Sequence, residues 1–251
     1  MRKKLIAANW KMNLTRETGV RLAGEVRRFV EKTALEREVL LAPPFPYLEA
    51  VRGAVLGSPV LLGAQDVSAH PPGAFTGEVS AEMLLDLGCA RAIVGHSERR
   101  EHGGESDAVV RAKTARAIDL GLGVILCVGE KEEERRSGRE KEVVGAQLRA
   151  ALAGLAARDI EAKVVVAYEP VWAIGTGKTA TAADAEEMHA FAREVLADLA
   201  GGERAGRIRI LYGGSVKPSN AGELLEREEI DGALVGGASL DGAGFAAILS
   251  A

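Results

Sequence analysis

Short apolar runs recur along the chain, and stretches of a different period separate them. The runs at 5–10, 38–42, 60–64, 90–95, 124–128, 164–168, 208–212 and 233–235 are rich in Val, Ile, Leu and Ala and lack polar alternation. Strands covered on both faces read this way, so eight parallel strands are predicted. Between them the apolar period lengthens toward 3.6 residues. Met188, Phe191, Val195, Leu196 and Leu199 fall on one stripe, and Val143, Val144, Leu148, Ala151, Leu152 and Leu155 on another. Each stripe predicts an amphipathic helix. Thr181 and Asp184 precede the first stripe in the spacing of a capping box.

Eight strand-then-helix units in 251 residues match the count of a closed parallel (β/α)8 barrel. No Pro/Gly/Ser-rich linker divides the chain, so 1–251 reads as one barrel domain. An open doubly wound sheet suits the alternation almost as well. The longest excursion is His70-Pro71-Pro72-Gly73-Ala74-Phe75-Thr76-Gly77, after the third strand.

Unusual polar residues gather at strand ends. Asn9 and Lys11 close the first strand, Gln65 the third, His96 the fourth and Glu169 the sixth. Gly213-Gly214-Ser215 follows the seventh, and Gly236-Gly237 the eighth. Singly, Lys11 reads as a solvated charge, His96 as a satisfied strand-end histidine and Gln65 as a turn residue. Together they share the carboxyl ends, which in a barrel converge on the face that holds active sites. Each glycine pair precedes a helix start, where exposed N–H groups hold phosphate well. Glu169-Pro170 and the loop beyond it resemble a base at a strand mouth with a closable flap beside it. Gly175-Thr176-Gly177-Lys178-Thr179 imitates a nucleotide P-loop, but the pattern needs glycine where Trp172 stands.

Composition narrows the partners. The formal charge of −4, with 47% hydrophobic and 27% charged residues, gives no electrostatic case for nucleic acid or an acidic membrane surface. No apolar run approaches the ~20 residues of a membrane span. The N-terminal Met1-Arg2-Lys3-Lys4 before apolar residues imitates a secretion signal, but the apolar part is short and meets Asn9 and Lys11 at once. Cys89 and Cys127 sit in no metal or redox spacing, and a reducing cytoplasm is the default expectation. With no His/Asp/Glu cluster at ligand spacing, neither metal nor cofactor is expected.

Ala8-Asn9-Trp10-Lys11-Met12-Asn13, Gly95-His96-Ser97-Glu98-Arg99-Arg100, Ala167 to Lys178, Tyr212-Gly213-Gly214-Ser215-Val216 and Val235-Gly236-Gly237-Ala238 closely resemble the signatures of the triosephosphate isomerase family. Gly63-Ala64-Gln65 and Gly73-Ala74-Phe75-Thr76-Gly77-Glu78 add to the likeness, which runs in family order from residue 5 to about residue 249. The resemblance implies a TIM barrel that interconverts dihydroxyacetone phosphate and glyceraldehyde 3-phosphate through an enediolate, in glycolysis and gluconeogenesis. It implies Glu169 as base, His96 as electrophile, and Lys11 and Asn9 beside the developing oxyanion. It assigns the phosphate to N–H groups of Gly175, Ser215, Gly236 and Gly237. The flap would run from Pro170 to Ala180, clasped by Tyr212 and Ser215. A helix start after His96 disfavours a second positive charge, so a neutral ring is expected. A homo-oligomer, as a homodimer, is expected through the loop from Gln65 to Glu78, the alternative being that this loop folds over its own barrel mouth as a lid; the resemblance implies that Thr76 reaches the neighbour's Asn9 and Lys11.

Two departures stand out. Asp66 replaces an expected Asn, adding negative charge near Lys11 or the subunit contact. The segment Glu101-His102-Gly103-Gly104-Glu105 lacks an expected aromatic residue. Two rival readings are a barrel isomerase or lyase for a larger phosphosugar and a phosphate-binding scaffold without chemistry. The first has no need of Glu169, Lys11 and His96 together, and the second predicts loss of at least one of them.

Overall fold

The structure, a computed structural model, describes residues 2–174 and 180–251. Eight parallel strands close into a barrel: β1 (Leu5–Asn9), β2 (Glu38–Ala42), β3 (Leu61–Ala64), β4 (Arg91–Val94), β5 (Gly123–Val128), β6 (Val164–Tyr168), β7 (Ile210–Tyr212) and β8 (Gly232–Val235). Each pairs with the next in sequence, and β1 closes the ring on β8, with Leu5 opposite both Glu38 and Gly232. Every apolar run of the sequence reading is a strand here, with ends shifted by two residues at most. Closure excludes the open doubly wound sheet.

The strands bury both faces. Leu5, Ala7, Leu40, Ala42, Ile93, Ile125, Cys127, Val165, Ala167, Leu211 and Leu234 form an inner cluster. Their neighbours, such as Ile6, Ala8, Leu41, Val94, Leu126 and Val166, pack outward against the helices. That alternation follows from the two-residue period of a strand, and it places the site. The inward parity of Leu5 and Ala7 reaches Asn9 at the end of β1 and Lys11 beyond it, and that of Val165 and Ala167 reaches Glu169 just past β6. β4 would instead bring Gly95 inward. Gly95 turns into the left-handed region at φ 71°, which glycine adopts at no steric cost.

The helical stripes hold. The helix Ala182–Ala200 buries Met188, Val195 and Leu196, with Phe191 and Leu199 packed at its margin. Its capping box is formed: Asp184 N donates to Thr181 Oγ1 at 3.1 Å and Thr181 N to Asp184 Oδ2 at 3.1 Å. The helix Glu140–Leu152 buries Val144, Leu148, Ala151 and Leu152, while Leu155 lies beyond its end. Among the described residues no helix is long and apolar enough to cross a membrane.

Candidate active site

The carboxyl ends of the strands enclose a cavity of about 370 Å³, lined among others by Asn9, Lys11, His96, Glu169, Ser215 and Gly236. Asn9, Lys11, His96, Glu169, Ser215, Gly236 and Gly237 all border this one space. Gly175 lies outside the described residues, as does the segment 175–179 that carries the P-loop imitation and the middle of the flap.

Lys11 occupies the left-handed region at φ 51°, which costs a non-glycine residue roughly 1 kcal/mol or more and persists only where the surroundings enforce it. The enforcement is visible. Lys11 N donates to Asn9 Oδ1 at 3.0 Å, and Lys11 O accepts from Gln65 Nε2 at 2.8 Å. Gln65 Nε2 also donates to Ala42 O at 2.9 Å, tying the turn to β2. The ammonium lies 2.6 Å from Glu98 Oε1. A Cβ on Gly236 would stand 3.4 Å from Lys11 Cε, so the lysine stem passes a glycine just beyond β8.

His96 caps the helix Ser97–His102 through its own ring: Glu98 N donates to Nδ1 at 3.3 Å. The ring proton is thereby assigned to Nε2, which faces Glu169 Oε1 at 3.0 Å. Glu169 is only 2% exposed. Its Oε2 accepts the Ser97 N–H at 3.0 Å, whereas Oε1 receives no aligned hydrogen bond among the described residues. Glycines create the room. A Cβ on Gly129 would meet Glu169 O at 1.7 Å, and one on Gly213 would meet Glu169 Cγ at 2.9 Å. Gly213 is thus spacing for the carboxylate as well as part of the loop to Ser215.

The two groups pull each other's ionisation. For His96, burial favours the uncharged ring, but Glu169 and then Glu98 outweigh it and leave its pKa above the ordinary value. For Glu169, burial opposes the charge, yet His96, the Ser97 N–H and Lys11 hold it below the usual carboxylate range. The expectation of a neutral His96 rested on the helix start alone and did not include a carboxylate across the mouth. The Nδ1 cap still favours the neutral ring, since a second ring proton would break the Glu98 N–H contact.

Beyond β5 stands a group the sequence reading passed over. Glu130 is fully buried, and its Oε1 accepts from Tyr168 Oη at 3.0 Å and Trp172 Nε1 at 2.7 Å. Trp172 lies in the turn Val171–Ala173 just beyond β6, so this carboxylate fixes the course of the chain as it leaves β6. A Cβ on Gly214 would meet Tyr212 Oη at 2.3 Å and Pro170 Cγ at 3.0 Å, which brings the loop after β7 against the flap's first residue.

Asp66 does not face Lys11. Both its oxygens lie 2.7 Å from Lys113 Nζ, and Arg99 stands at 3.2 Å. Lys113 and Arg99 also bind Glu105 Oε1, at 2.6 Å and 2.7 Å. This buried ion cluster, not an aromatic ring, follows the histidine segment. Among the described residues no group of three or more His, Cys, Asp or Glu side chains could hold a metal ion.

Comparison with known proteins decides the family. The family model described as Triosephosphate isomerase matches residues 4–251. The chain belongs to the triosephosphate isomerase family. Among curated relatives, a triosephosphate isomerase of Moorella thermoacetica is 52% identical over 253 residues, covering 100% of this chain and 99% of that protein. One from Roseiflexus sp. (strain RS-1) is 51% identical over 255 residues, covering 99% and 97%. One from Chlorobium phaeobacteroides is 51% identical over 251 residues, covering 100% and 99%.

Proposed function

We propose that this chain interconverts dihydroxyacetone phosphate and glyceraldehyde 3-phosphate, with the whole of 1–251 acting as one barrel domain. The observation that carries the site assignment is the buried Glu169 carboxylate, 3.0 Å from a histidine ring capped by a helix N–H. Glu169 removes the carbon-bound proton next to the carbonyl. His96 Nε2–H and Lys11 face the oxygen on which charge develops, with Asn9 beside them. Glu169 then returns a proton to the neighbouring carbon, and the hydroxyl proton shifts between the two oxygens by way of His96. The enediolate needs that fixed charge and exclusion of water, because a general base alone supplies only ~10²–10⁴-fold. N–H groups of Ser215, Gly236 and Gly237, with Gly175 in the flap, take the phosphate. To act, Glu169 must first release the Ser97 N–H.

The test is an assay in which dihydroxyacetone phosphate formed from glyceraldehyde 3-phosphate is reduced by an NADH-dependent dehydrogenase. Lys11→Met should keep its circular dichroism spectrum while kcat/KM falls by orders of magnitude. A wild-type chain inactive on triose phosphates, or a fully active Lys11→Met, sinks the reading.

The same proposal extends to assembly and place. Met12 is 95% exposed and Phe75 40% exposed, and Met83, Leu85 and Val109 are also open to solvent. An apolar surface of this kind supports a homodimer built on the loop from Gln65 to Glu78. Phe75 stacks on His70 at 4.1 Å within that loop, a rigid knob for a second copy. Sedimentation at micromolar concentration checks it: a monomer counts against it. The two buried free thiols suit a reducing cytoplasm, testable by fractionation.

A further inference from the structure

We infer that Lys217 is an electrostatic binding residue for the substrate phosphate, a role that rests on the isomerase reading above. The starting point is the charge inside the cavity. Among its described lining residues, Lys11 and Lys217 are cationic, and Glu98 and Glu169 are anionic. Three of the four are engaged inside the site. Lys11 lies 2.6 Å from Glu98, and Glu169 lies 3.0 Å from His96. The four formal charges cancel, and without Lys217 the lining would carry −1. A doubly negative triose phosphate would then approach a negatively charged mouth on a chain of net charge −4.

Lys217 stands where a phosphate needs a cation. It is exposed and borders the cavity beside Ser215, on the turn that leads into the helix Pro218–Leu225. No ion pair to Lys217 is found among the described residues. Its backbone is pinned while its side chain is not: Lys217 N donates to Asn220 Oδ1 at 2.8 Å, and Asn220 Nδ2 donates to Ser215 O at 2.9 Å. The ammonium therefore extends from a root tied through Asn220 to the Ser215 carbonyl, on the border of the same cavity. A flexible point charge at a cleft mouth acts on encounter and on phosphate affinity. It does not touch the reacting carbons, so the chemical step is indifferent to it.

The experiment compares wild type, Lys217→Met, Lys217→Glu and Lys217→Arg in the coupled assay at ionic strengths from 0.02 to 0.3 M, values chosen to span the screening length. Competitive inhibition by glycerol 3-phosphate, a dianion that cannot isomerise, is measured alongside. Lys217→Met should raise KM and the glycerol 3-phosphate inhibition constant by about three- to tenfold at low salt, with kcat changed less than about twofold. Lys217→Glu should do more, Lys217→Arg should restore the parent values, and both the Met and Glu variants should show a shallower salt dependence of kcat/KM. Unchanged KM and salt dependence in Lys217→Met would overturn the inference. So would a fall in kcat at constant KM, which would point to a displaced Ser215 loop. An inactive wild type would instead count against the isomerase reading itself.

Discussion

The side-chain amide of Gln65 donates to the carbonyl of Lys11 at 2.8 Å while Lys11 holds φ 51°. The two facts belong together. A lysine in the left-handed region relaxes unless its neighbours prevent it, and Gln65, anchored also on Ala42 O at 2.9 Å, is one of the groups that does. Gln65→Ala should therefore fold, lose about 1–3 kcal/mol as Lys11 O loses its Gln65 donor and Ala42 O keeps only the Trp10 N–H, and lose about 10- to 100-fold in kcat/KM as the ammonium drifts. Gln65→Glu should not rescue, since a carboxylate has no N–H to give. Steady-state kinetics alongside thermal unfolding separates the effects, and full activity in Gln65→Ala would refute the positioning role.

Glu169→Asp should fold like the parent and lose about 10²-fold in kcat. Removing one methylene draws the carboxylate back by roughly 1 Å, and misplacement of that size is costly at a reacting atom. Near-parental turnover on triose phosphates would exclude Glu169 as the base.

How far the sequence reached is clearest around this same residue. The strand end was legible, because the apolar run Val164 to Tyr168 closes on Glu169, and the glycine-rich ends of β7 and β8 were legible as loops. The charge state of His96 was not. The helix start that follows it is a local feature, whereas the Glu169 carboxylate 3.0 Å away arrives from a strand seventy residues on. Glu130 was hidden for a related reason. It begins the run Glu130-Lys131-Glu132-Glu133-Glu134, which reads as a solvated acidic face until Tyr168 and Trp172 fold over its first member. Lys113, 4% exposed inside the helix Asp107–Asp119, escapes periodicity altogether. A buried lysine is tolerable only beside Asp66 and Glu105, and no pattern within its own helix reveals them.

The coupling between His96 and Glu169 has a direct readout. Glu169 raises the histidine's pKa against the opposing pull of burial. Glu169→Gln removes that charge at nearly constant shape, so the His96 pKa should fall, by NMR titration of the ring nitrogens. A ring that titrates identically in both proteins would mean that the two groups are electrically independent.

Gly129 carries a steric prediction. A Cβ there would sit 1.7 Å from Glu169 O and 2.7 Å from its carbonyl carbon, both backbone atoms that cannot swing aside. Gly129→Ala should cost about 1–3 kcal/mol or more of stability and displace the base, lowering kcat as well. Gly222→Ala, where nothing lies within 4 Å, serves as the contrast. Inside the helix Pro218–Leu225 it should stabilise by about 0.5–1 kcal/mol. Denaturant midpoints that move equally for the two would contradict the packing.

His189 sets an acid limit on the fold. It is fully buried in the helix Ala182–Ala200, its ring 5.9 Å from that of Tyr168 and 6.4 Å from that of Tyr212. Since a carbonyl only accepts, the 3.2 Å contact with Glu229 O assigns the proton to Nδ1, and Nε2 has no partner among the described residues. Burial lowers its pKa to about 4, against about 6.5 in an unfolded chain. The sign follows from proton counts: between these two values the unfolded state binds the proton and the folded state does not. Stability therefore rises with pH across that window and is lost as pH falls from about 6.5 toward about 4, by an amount on the order of 3 kcal/mol if nothing else titrates. Carboxylates such as Glu169, whose pKa is held low by His96 and Ser97 once burial is overcome, lose their contribution only as pH falls through their own folded pKa. Replacing the ring with a neutral amide, His189→Gln, should cost some stability at pH 7.5, chiefly through packing between the two tyrosines. It should also flatten the slope of stability between pH 6.5 and pH 4.5. Urea unfolding at several pH values measures that slope, and a variant as acid-sensitive as the parent would show that another group sets the limit.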